Sequence, residues 1–187
     1  MILNKTRKEN NFCIELHSFD VVSKEIIATD YLAWLNDIEV IKPIASPVLL
    51  QSKNLDFIDE SYVRFTAPNC RGFFIKDLSD NKFIGTAKID KIDDYNKSAE
   101  IGIMIGDKTK WGKGISIEVY KILMDYAFGQ LKLHRLWGGT NGNNIAMKKT
   151  FLKVGFREEG ILRKASLIDG IYSDNYLYGI LENEYES

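Results

Sequence analysis

A glycine-rich turn near the middle of the chain has the composition of an anion-binding loop. Residues 110–114 read Lys-Trp-Gly-Lys-Gly, and the apolar periodicity of residues 115–129 predicts a helix directly after them. The first N–H groups of a helix lack intrahelical partners, and glycines let an anion approach the backbone closely. Lys110 and Lys113 add positive charge. The turn predicts a phosphate site, and on this fragment alone a helix start without a ligand is equally expected.

Standard nucleotide-binding motifs are missing from this turn. Lys113 is followed by Gly114 and not by the serine or threonine of a Walker loop, and the dinucleotide spacing Gly-x-Gly-x-x-Gly is absent. A domain that binds ATP through the same loop is therefore a disfavoured hypothesis.

Residues suited to metal or covalent chemistry are sparse and scattered. Cys13 and Cys70 lie far apart in no metal-ligand spacing, so free thiols in a reducing compartment are predicted. His17 and His134 show no ligand spacing, and no serine lies in a Gly-x-Ser-x-Gly motif. The sequence predicts neither a metal site nor a hydrolase triad.

Composition and charge disfavour several classes of protein. The chain has 187 residues, 45% of them hydrophobic, and a formal net charge of −1. This balance gives no reason to expect nucleic acid or an anionic membrane as a partner. No apolar run approaches the roughly 20 residues of a membrane span, and the polar N-terminus lacks a signal peptide. We expect a cytoplasmic protein.

Periodicity and turn residues predict a mixed α/β domain over residues 1–187, with 1–11 as a candidate loose tail. Strands are predicted over 12–19, 71–78, 82–90, 97–105, 133–140, 156–167 and 171–182, and helices over 28–36, 52–64, 115–129 and 144–154. The strand over 97–105 alternates, with Glu100 and Met104 on the face opposite its isoleucines. This order of elements predicts one twisted sheet with helices packed on it.

Several spaced motifs, taken in order, resemble the GCN5-related N-acetyltransferase superfamily. They are Ala-Glu-Ile-Gly-Ile-Met-Ile at 99–105, Trp-Gly-Lys-Gly-Ile-Ser at 111–116, Tyr-Ala-Phe at 126–128, Asn144 and Gly-Phe at 155–156. Further segments at 30–37, 159–163 and 169–174 extend the likeness from about Phe12 to Leu181. Within the superfamily the chain is most similar to the branch of ribosomal-protein alanine acetyltransferases and spermidine acetyltransferase.

The resemblance implies a fold and an activity. The fold is a single domain around a twisted, mostly antiparallel sheet with about four helices, in which the fourth and fifth strands, residues 97–105 and 133–140, splay apart. The activity is transfer of an acetyl group from acetyl-CoA to a primary amine, without a metal. A module that binds acyl-CoA without chemistry is the alternative, and a homodimer is a candidate assembly.

The resemblance also assigns residues to acetyl-CoA. The pyrophosphate loop of the family falls on residues 111–116, where Trp111 and Ser116 depart from the usual residue types. A bulge that Gly102 suits would let the fourth strand contact the pantetheine arm. Asn144 is assigned to the cofactor or to helix capping with equal weight. The predicted cofactor-binding residues are Ile103, Met104, Ile105, Trp111, Gly112, Lys113, Gly114, Ile115, Ser116 and Asn144.

For catalysis the resemblance points to Glu100 as the general base that takes a proton from the amine. A surface or salt-bridged carboxylate is the equally weighted alternative. Many relatives carry a tyrosine as general acid where this chain has Phe151, which cannot donate a proton. Tyr176 and Tyr178 are substitutes on the last strand, although core packing is the favoured role for both.

The identity of the acceptor amine is left open. The segments that build the acceptor site in the family, about 31–64 and 162–174, carry both acidic and basic residues. The acidic residues suit a polyamine or a peptide N-terminus, whereas Arg64, Arg71 and Arg163 suit a phosphate-bearing acceptor. A small molecule such as a nucleotide-linked amino sugar is slightly favoured by analogy, with a protein N-terminus or a polyamine as the alternative.

Overall fold

The computed structural model describes residues 1–4, 13–44, 46, 49 and 51–185, which form one sheet flanked by helices. The strands are β1 (Ile2–Asn4), β2 (Ile14–Ser18), β3 (Arg71–Asp77), β4 (Lys82–Asp93), β5 (Ser98–Ile105), β6 (Arg135–Asn141), β7 (Arg157–Ile168) and β8 (Ile171–Leu181). The helices are α1 (Lys24–Asn36), α2 (Ile38–Ile41), α3 (Leu55–Phe65), α4 (Ile115–Gly129) and α5 (Ile145–Lys153). The strand order is β1-β2-β3-β4-β5-β6-β8-β7, and every pairing except β5 with β6 is antiparallel. The predicted mixed α/β class with a mostly antiparallel sheet is confirmed.

The parallel pairing of β5 with β6 is short, and the two strands separate beyond it. Ser98, Ala99 and Glu100 pair with residues 135–137. Beyond this point β5 runs beside β4 to its end, and β6 runs beside β8 to Asn141. An opening between adjacent strands results, which confirms the predicted splay.

The structure adds an edge strand at the N-terminus. β1 pairs with β2, with Leu3 opposite Leu16, and both side chains are buried. A three-residue strand is too short for its alternation to register in a sequence window, so residues 2–4 were included in the predicted loose tail. The structure corrects that interpretation for these three residues. Residues 5–12, which include the start of the predicted first strand, lie outside the described residues.

Two apolar clusters lie on opposite faces of the sheet. On one face, residues of α4 and α5 pack with Ala99 and Ile101 of β5. On the other face, α1 and α3 pack over Phe74 and Met104. Since alternate residues of a strand share a face, Glu100 belongs to the same face as Met104. The predicted alternation of β5 is therefore confirmed, and it directs Glu100 toward the space beneath α1 and α3.

The predicted helices differ from the structure mainly at their starts. α1 begins at Lys24 and not at residue 28. α3 begins later than residue 52, because the Asn54 side chain caps it by accepting a hydrogen bond of 3.3 Å from Phe57 N. α2 was not predicted, since four residues show no helical period, whereas α4 has the predicted bounds. None of the helices within the described ranges is long and apolar enough to cross a membrane.

β5 has no bulge at Gly102, contrary to the prediction. β5 pairs with β4 in regular register from Ile105, opposite Gly85, through Gly102, opposite Lys88. The regular pairing continues past Gly102. An added Cβ at position 102 would lie 3.1 Å from Lys88 Cε, so the Lys88 side chain would have to shift slightly to admit it. β4 itself is irregular at two places: Ile84 is the extra residue between two registers with β3, and the register with β5 shifts between Asp90 and Asp93.

Candidate active site

The glycine-rich turn presents open amide groups at the start of α4. Gly112 and Gly114 have φ of +73° and +82°, a left-handed conformation that favours glycine. Among the described residues, the amides of 112–116 have no hydrogen-bond acceptor, and no atom lies within 4 Å of a Cβ built on either glycine. Lys113 is exposed beside them. The turn therefore combines free donors, a positive helix end and space for an anion.

Two lysines tie this turn to the rest of the fold. Lys110 Nζ lies 2.7 Å from carboxylate oxygens of both Asp77 and Asp80, and these hydrogen bonds raise the pKa of its ammonium above the usual value. Lys108 is held in a similar way by Asp37 at 2.8 Å. Because its side chain is only 12% exposed, Lys110 is a tether and not the mobile charge that the sequence suggested.

The backbone of β5 faces the opening at two of the three positions predicted to contact the cofactor. The Met104 carbonyl points at Gly85 on β4, where an added Cβ would overlap it. Because backbone groups of successive strand residues point to alternate neighbours, those of Ile103 and Ile105 point into the opening. The Ile105 carbonyl accepts a hydrogen bond of 2.9 Å from Trp111 Nε1. Ile103 and the Ile105 amide thus face the opening, whereas Met104 borders the cavity described below through other atoms.

Gly138 lies at the fork where β6 leaves β5. A Cβ on this residue would lie 2.8 Å from Phe151 Cζ and 3.0 Å from the Ile101 carbonyl oxygen. Phe151 is buried and fixed against its neighbours, so neither atom can yield easily. The fork therefore requires a residue without a side chain.

We expect Gly138→Ala to lower the free energy of unfolding by about 1–3 kcal/mol, because the added methyl must displace a packed ring or a strand. Chemical denaturation followed by circular dichroism measures this change. Gly129→Ala is the matched control, since Gly129 lies in α4 with no atom within 4 Å of an added Cβ and alanine favours helix. Equal stability of the two variants would show that the fork tolerates a side chain.

A cavity of about 650 Å³ adjoins the opening between β5 and β6. Residues of α1 and α3 form one wall, β4 and β5 form the floor, and β6, α4 and α5 close the far side. Its lining includes Glu100, Met104, Tyr120, Thr140 and Asn144. The cavity therefore gathers the predicted base and three of the predicted cofactor-binding residues, Ile103, Met104 and Asn144, at the place where the strands part.

Asn144 caps α5 and also borders this cavity. Its side-chain oxygen accepts a hydrogen bond of 3.1 Å from Met147 N, and its side-chain nitrogen donates one of 3.4 Å to the Pro43 carbonyl. The capping role of Asn144 is confirmed, and contact with a cofactor stays a prediction.

Glu100 lies in the cavity wall within a chain of alternating charges. Lys88 Nζ lies 3.5 Å from Glu100 Oε1, and Lys91 Nζ lies 2.6 Å from Oε2. The second contact is an ion pair without hydrogen-bond geometry, since the buried Oε2 has no hydrogen-bond partner within the described part of the chain. Lys88 also contacts Asp90 at 2.9 Å, and Asp90 accepts a hydrogen bond of 2.8 Å from Arg64. Glu100 is therefore salt-bridged, as the alternative prediction held, and its carboxylate also borders the cavity.

Asp90 is the buried centre of this charge chain. Burial opposes its ionisation, but the hydrogen bonds and charges of Lys88 and Arg64 outweigh burial and hold the pKa of the carboxyl well below its usual range. Burial and the charge of Asp90 raise the pKa of the neighbouring Cys70 thiol to about 12. Cys13 and Cys70 are both free, as predicted. The Asp90 carboxylate therefore anchors the two cations and is not itself a base.

Tyr120 on α4 is a candidate that the sequence did not single out. Its buried ring lies 5.4 Å from the Phe151 ring and borders the cavity. Its hydroxyl donates to Met147 Sδ at 3.7 Å, which is a weak acceptor. Burial and the negative charge of Glu100 raise the pKa of this hydroxyl above the usual value, so it stays protonated. Sequence gave no signal for Tyr120, because a tyrosine on a buried helix face is normally a packing residue.

The other tyrosines considered for acid catalysis do not border the cavity. Tyr178 is buried and stacks on Phe151 with ring centroids 4.9 Å apart. Lys148 Nζ lies 3.4 Å from the centroid of the Tyr176 ring. Both residues pack in or against the core, so the favoured packing role is confirmed.

One of the three arginines expected at the acceptor site borders the cavity, namely Arg64. Arg71 donates instead to the carbonyls of Pro68 and Cys70, at 2.8 and 2.7 Å. Arg163 is exposed on β7 and is not part of the lining. Across the described ranges, no group of three or more histidine, cysteine, aspartate or glutamate side chains could hold a metal ion.

The chain is similar in sequence to known and probable acetyltransferases. A family model of the acetyltransferase (GNAT) domain matches residues 24–157. The probable N-acetyltransferase YjcK of Bacillus subtilis is 37% identical over 61% of this chain and 63% of its own length. The putative ribosomal N-acetyltransferase YdaF of the same organism is 31% identical over 58% of this chain and 59% of its own length. Each match spans less than two thirds of the relative.

A solved structure supports the fold independently of sequence. The crystal structure of spermidine N-acetyltransferase from Vibrio cholerae, in complex with CoA and spermine, has a TM-score of 0.80 to this chain. The likeness covers 92% of this chain and 97% of that chain at 22% identity. The family model matches well over half of the sequence and includes β5, the glycine-rich turn and α4. The chain therefore belongs to the GNAT acetyltransferase family.

Proposed function

We propose that this protein transfers the acetyl group of acetyl-CoA to the primary amine of a small molecule. The observation that carries the proposal is the continuity of three features along β5. Open amides of residues 112–116 follow its end, free backbone groups of Ile103 face the opening beside it, and a cavity with Glu100 in its wall lies at the fork. These features suit a diphosphate, an extended thiol arm and a reacting thioester, in that order.

The proposed cofactor contacts follow from this arrangement. The amides of 112–116 receive the diphosphate, with Lys113 as an exposed cation beside it. The groups of β5 that face the opening pair with the amides of the pantetheine arm. Trp111 holds the turn against the end of β5 through its indole hydrogen bond, and Asn144 borders the cavity at the thioester end.

The proposed chemistry is direct attack of the amine on the thioester carbonyl. The amine nitrogen forms a bond to the carbonyl carbon, and Glu100 takes the proton that this nitrogen loses. The carbon–sulfur bond then breaks, and the electron pair leaves on the thiolate. Tyr120 donates a hydrogen bond to that sulfur, and the proton held by Glu100 passes through water to the thiolate. The products are an N-acetyl amide and the free thiol of CoA, with Glu100 again a carboxylate. The raised pKa of Tyr120 suits a donor that keeps its proton until sulfur charge develops.

The family and its named members support the activity more strongly than any one acceptor. The structure from Vibrio cholerae holds CoA and spermine, and YdaF is named as a ribosomal acetyltransferase. The amino-sugar acceptor favoured by sequence analogy has no support from these relatives. A non-catalytic acyl-CoA-binding module is the second candidate, and Phe151 at the usual tyrosine position is the observation that favours it.

A thiol-release assay tests the proposed function. The protein is incubated with acetyl-CoA and a panel of primary amines, free CoA is measured with a thiol reagent, and the acetylated amine is identified by mass spectrometry. We expect CoA release that depends on one class of amine. Tight binding of CoA with no release from any amine would support the binding module instead.

The glycine-rich turn gives a separate prediction for cofactor binding. We expect Gly112→Ala to weaken acetyl-CoA binding by about tenfold or more, because the methyl enters the space that the diphosphate needs. Gly170→Ala is the matched control, since Gly170 also has a positive φ, +75°, and open space around an added Cβ, but lies in the β7–β8 turn. Both variants carry the cost of about 1–2 kcal/mol for a left-handed alanine. Isothermal titration calorimetry with CoA measures the difference, and equal affinities would remove the turn from the binding site.

A further inference from the structure

The charges in the cavity bear on which amines it accepts, an inference that rests on the proposed function. The described lining carries three cationic side chains, Arg64, Lys88 and Lys91, and two carboxylates, Glu60 and Glu100. The cations therefore outnumber the carboxylates in the space that the acceptor must enter.

The carboxylate of Glu100 is already neutralised by its neighbours. Lys88 and Lys91 each lie on one of its two oxygens, at 3.5 and 2.6 Å. Asp90, which is 6% exposed beneath the lining, is covered in the same way by Lys88 and Arg64. Glu60 on α3 is thus the lining carboxylate without an ion-pair partner among the described residues.

The cations, by contrast, keep unused donors. The side chains of Arg64 and Lys91 are each 61% exposed. Arg64 uses one of its guanidinium nitrogens on Asp90, and a guanidinium has five N–H donors. Lys91 faces Glu100 on one side and lies 5.1 Å from the centroid of the Trp137 ring. Arg64 and Lys91 therefore both present free, positively charged N–H donors to an incoming ligand.

A polyamine suits this arrangement poorly. Glu60 offers a carboxylate to one additional ammonium, but each further ammonium of a polycation would lack a partner in the described lining and is repelled by the cations there. An anionic group would be bound by charge-assisted hydrogen bonds from Arg64 and Lys91. The cavity is therefore complementary to an acceptor with one reactive amine and one anionic group.

We propose that the acceptor is a primary amine that also carries a carboxylate or phosphate, which Arg64 and Lys91 bind at the end of the cavity floor. The two sources share one chemistry, an oxyanion with several acceptor oxygens. This distinguishes the chain from the Vibrio cholerae relative whose structure holds spermine, although the two share a fold.

Matched pairs of amines test the proposal directly. Glucosamine 6-phosphate is compared with glucosamine, and 4-aminobutyrate with butylamine, in the thiol-release assay with spermidine as a polycationic reference. We expect kcat/KM to be about tenfold or more higher for the anionic member of at least one pair. The pair with the larger ratio tells phosphate from carboxylate.

Variants of the two cations identify the binding groups. Arg64→Gln and Lys91→Gln are each expected to bring the ratio within a pair close to one, mainly through KM for the anionic member. Arg157→Gln is the control, because Arg157 is 75% exposed on β7, pairs with Glu184 and lies outside the lining. Thermal melting with acetyl-CoA verifies that each variant is folded, and either cation variant suffices for the test if the other is unstable.

Three outcomes contradict the proposal. Ratios near one with CoA release from neutral amines would overturn it and leave the acetyltransferase function standing. A preference for spermidine over every anionic amine would do the same. An absence of CoA release from all amines would overturn the proposed function, and this inference with it.

Discussion

Replacing Glu100 by glutamine is expected to lower kcat for acetyl transfer by about 100-fold or more, because the amide cannot take the proton that the attacking amine must lose. The fold should persist, since Lys88 keeps Asp90 as a partner and Lys91 is largely exposed. Steady-state thiol release at saturating acetyl-CoA measures the loss. Binding of CoA should be nearly unchanged, because Glu100 lines the cavity and is remote from the turn at residues 112–116 that we propose for the diphosphate.

A second glutamate serves as the control for this variant. Glu118 on α4 pairs with Lys121 and does not border the cavity, so Glu118→Gln is expected to keep the parent rate. If Glu100→Gln also kept the parent rate, Glu100 would be a structural member of the charge chain and the amine would lose its proton by another route.

Removing the hydroxyl of Tyr120 is expected to lower kcat by about 10- to 100-fold, with little change in the affinity for acetyl-CoA. The thiolate would then leave without a hydrogen bond from the protein at the sulfur. Tyr120→Phe keeps the buried ring and its packing against Phe151. Single-turnover kinetics with acetyl-CoA and an accepted amine separate this loss from changes in product release.

A second tyrosine of α4 serves as the control for Tyr120→Phe. Tyr126→Phe, a buried tyrosine of the same helix outside the lining, should keep the parent rate. Full activity of Tyr120→Phe alone would show that the thiolate leaves unassisted.

Sequence was sufficient wherever a single periodic pattern set the structure. The alternation over 97–105 gave the faces of β5, and the helical period after the glycine turn gave both ends of α4. The family motifs also indicate where the two strands separate, because the resemblance identifies the segments that form β5 and β6 as the splayed pair. These features depend on local sequence patterns, which can be recognised without knowing which strand or helix packs against the segment.

The rest of the site depends on contacts between distant segments. Lys110 pairs with Asp77 and Asp80, which lie 33 and 30 positions away in the sequence. The local motif shows a lysine beside an anion-binding turn, but it does not show that this lysine is already paired with two carboxylates. Tyr120 borders the cavity only because α4 and α5 converge there. The absence of a bulge at Gly102 also depends on a distant segment, because β5 pairs there in regular register with Lys88 of β4.

The other proposals depend on acetyl-CoA binding in the opening between β5 and β6, with its diphosphate on the amides of residues 112–116. A crystal structure of the protein soaked or grown with CoA is the decisive experiment. We expect the diphosphate against those amides, the pantetheine arm along Ile103, and the sulfur in the cavity within reach of Tyr120 and near Glu100. CoA bound elsewhere, with β5 and β6 unoccupied between Glu100 and Thr140, would contradict it.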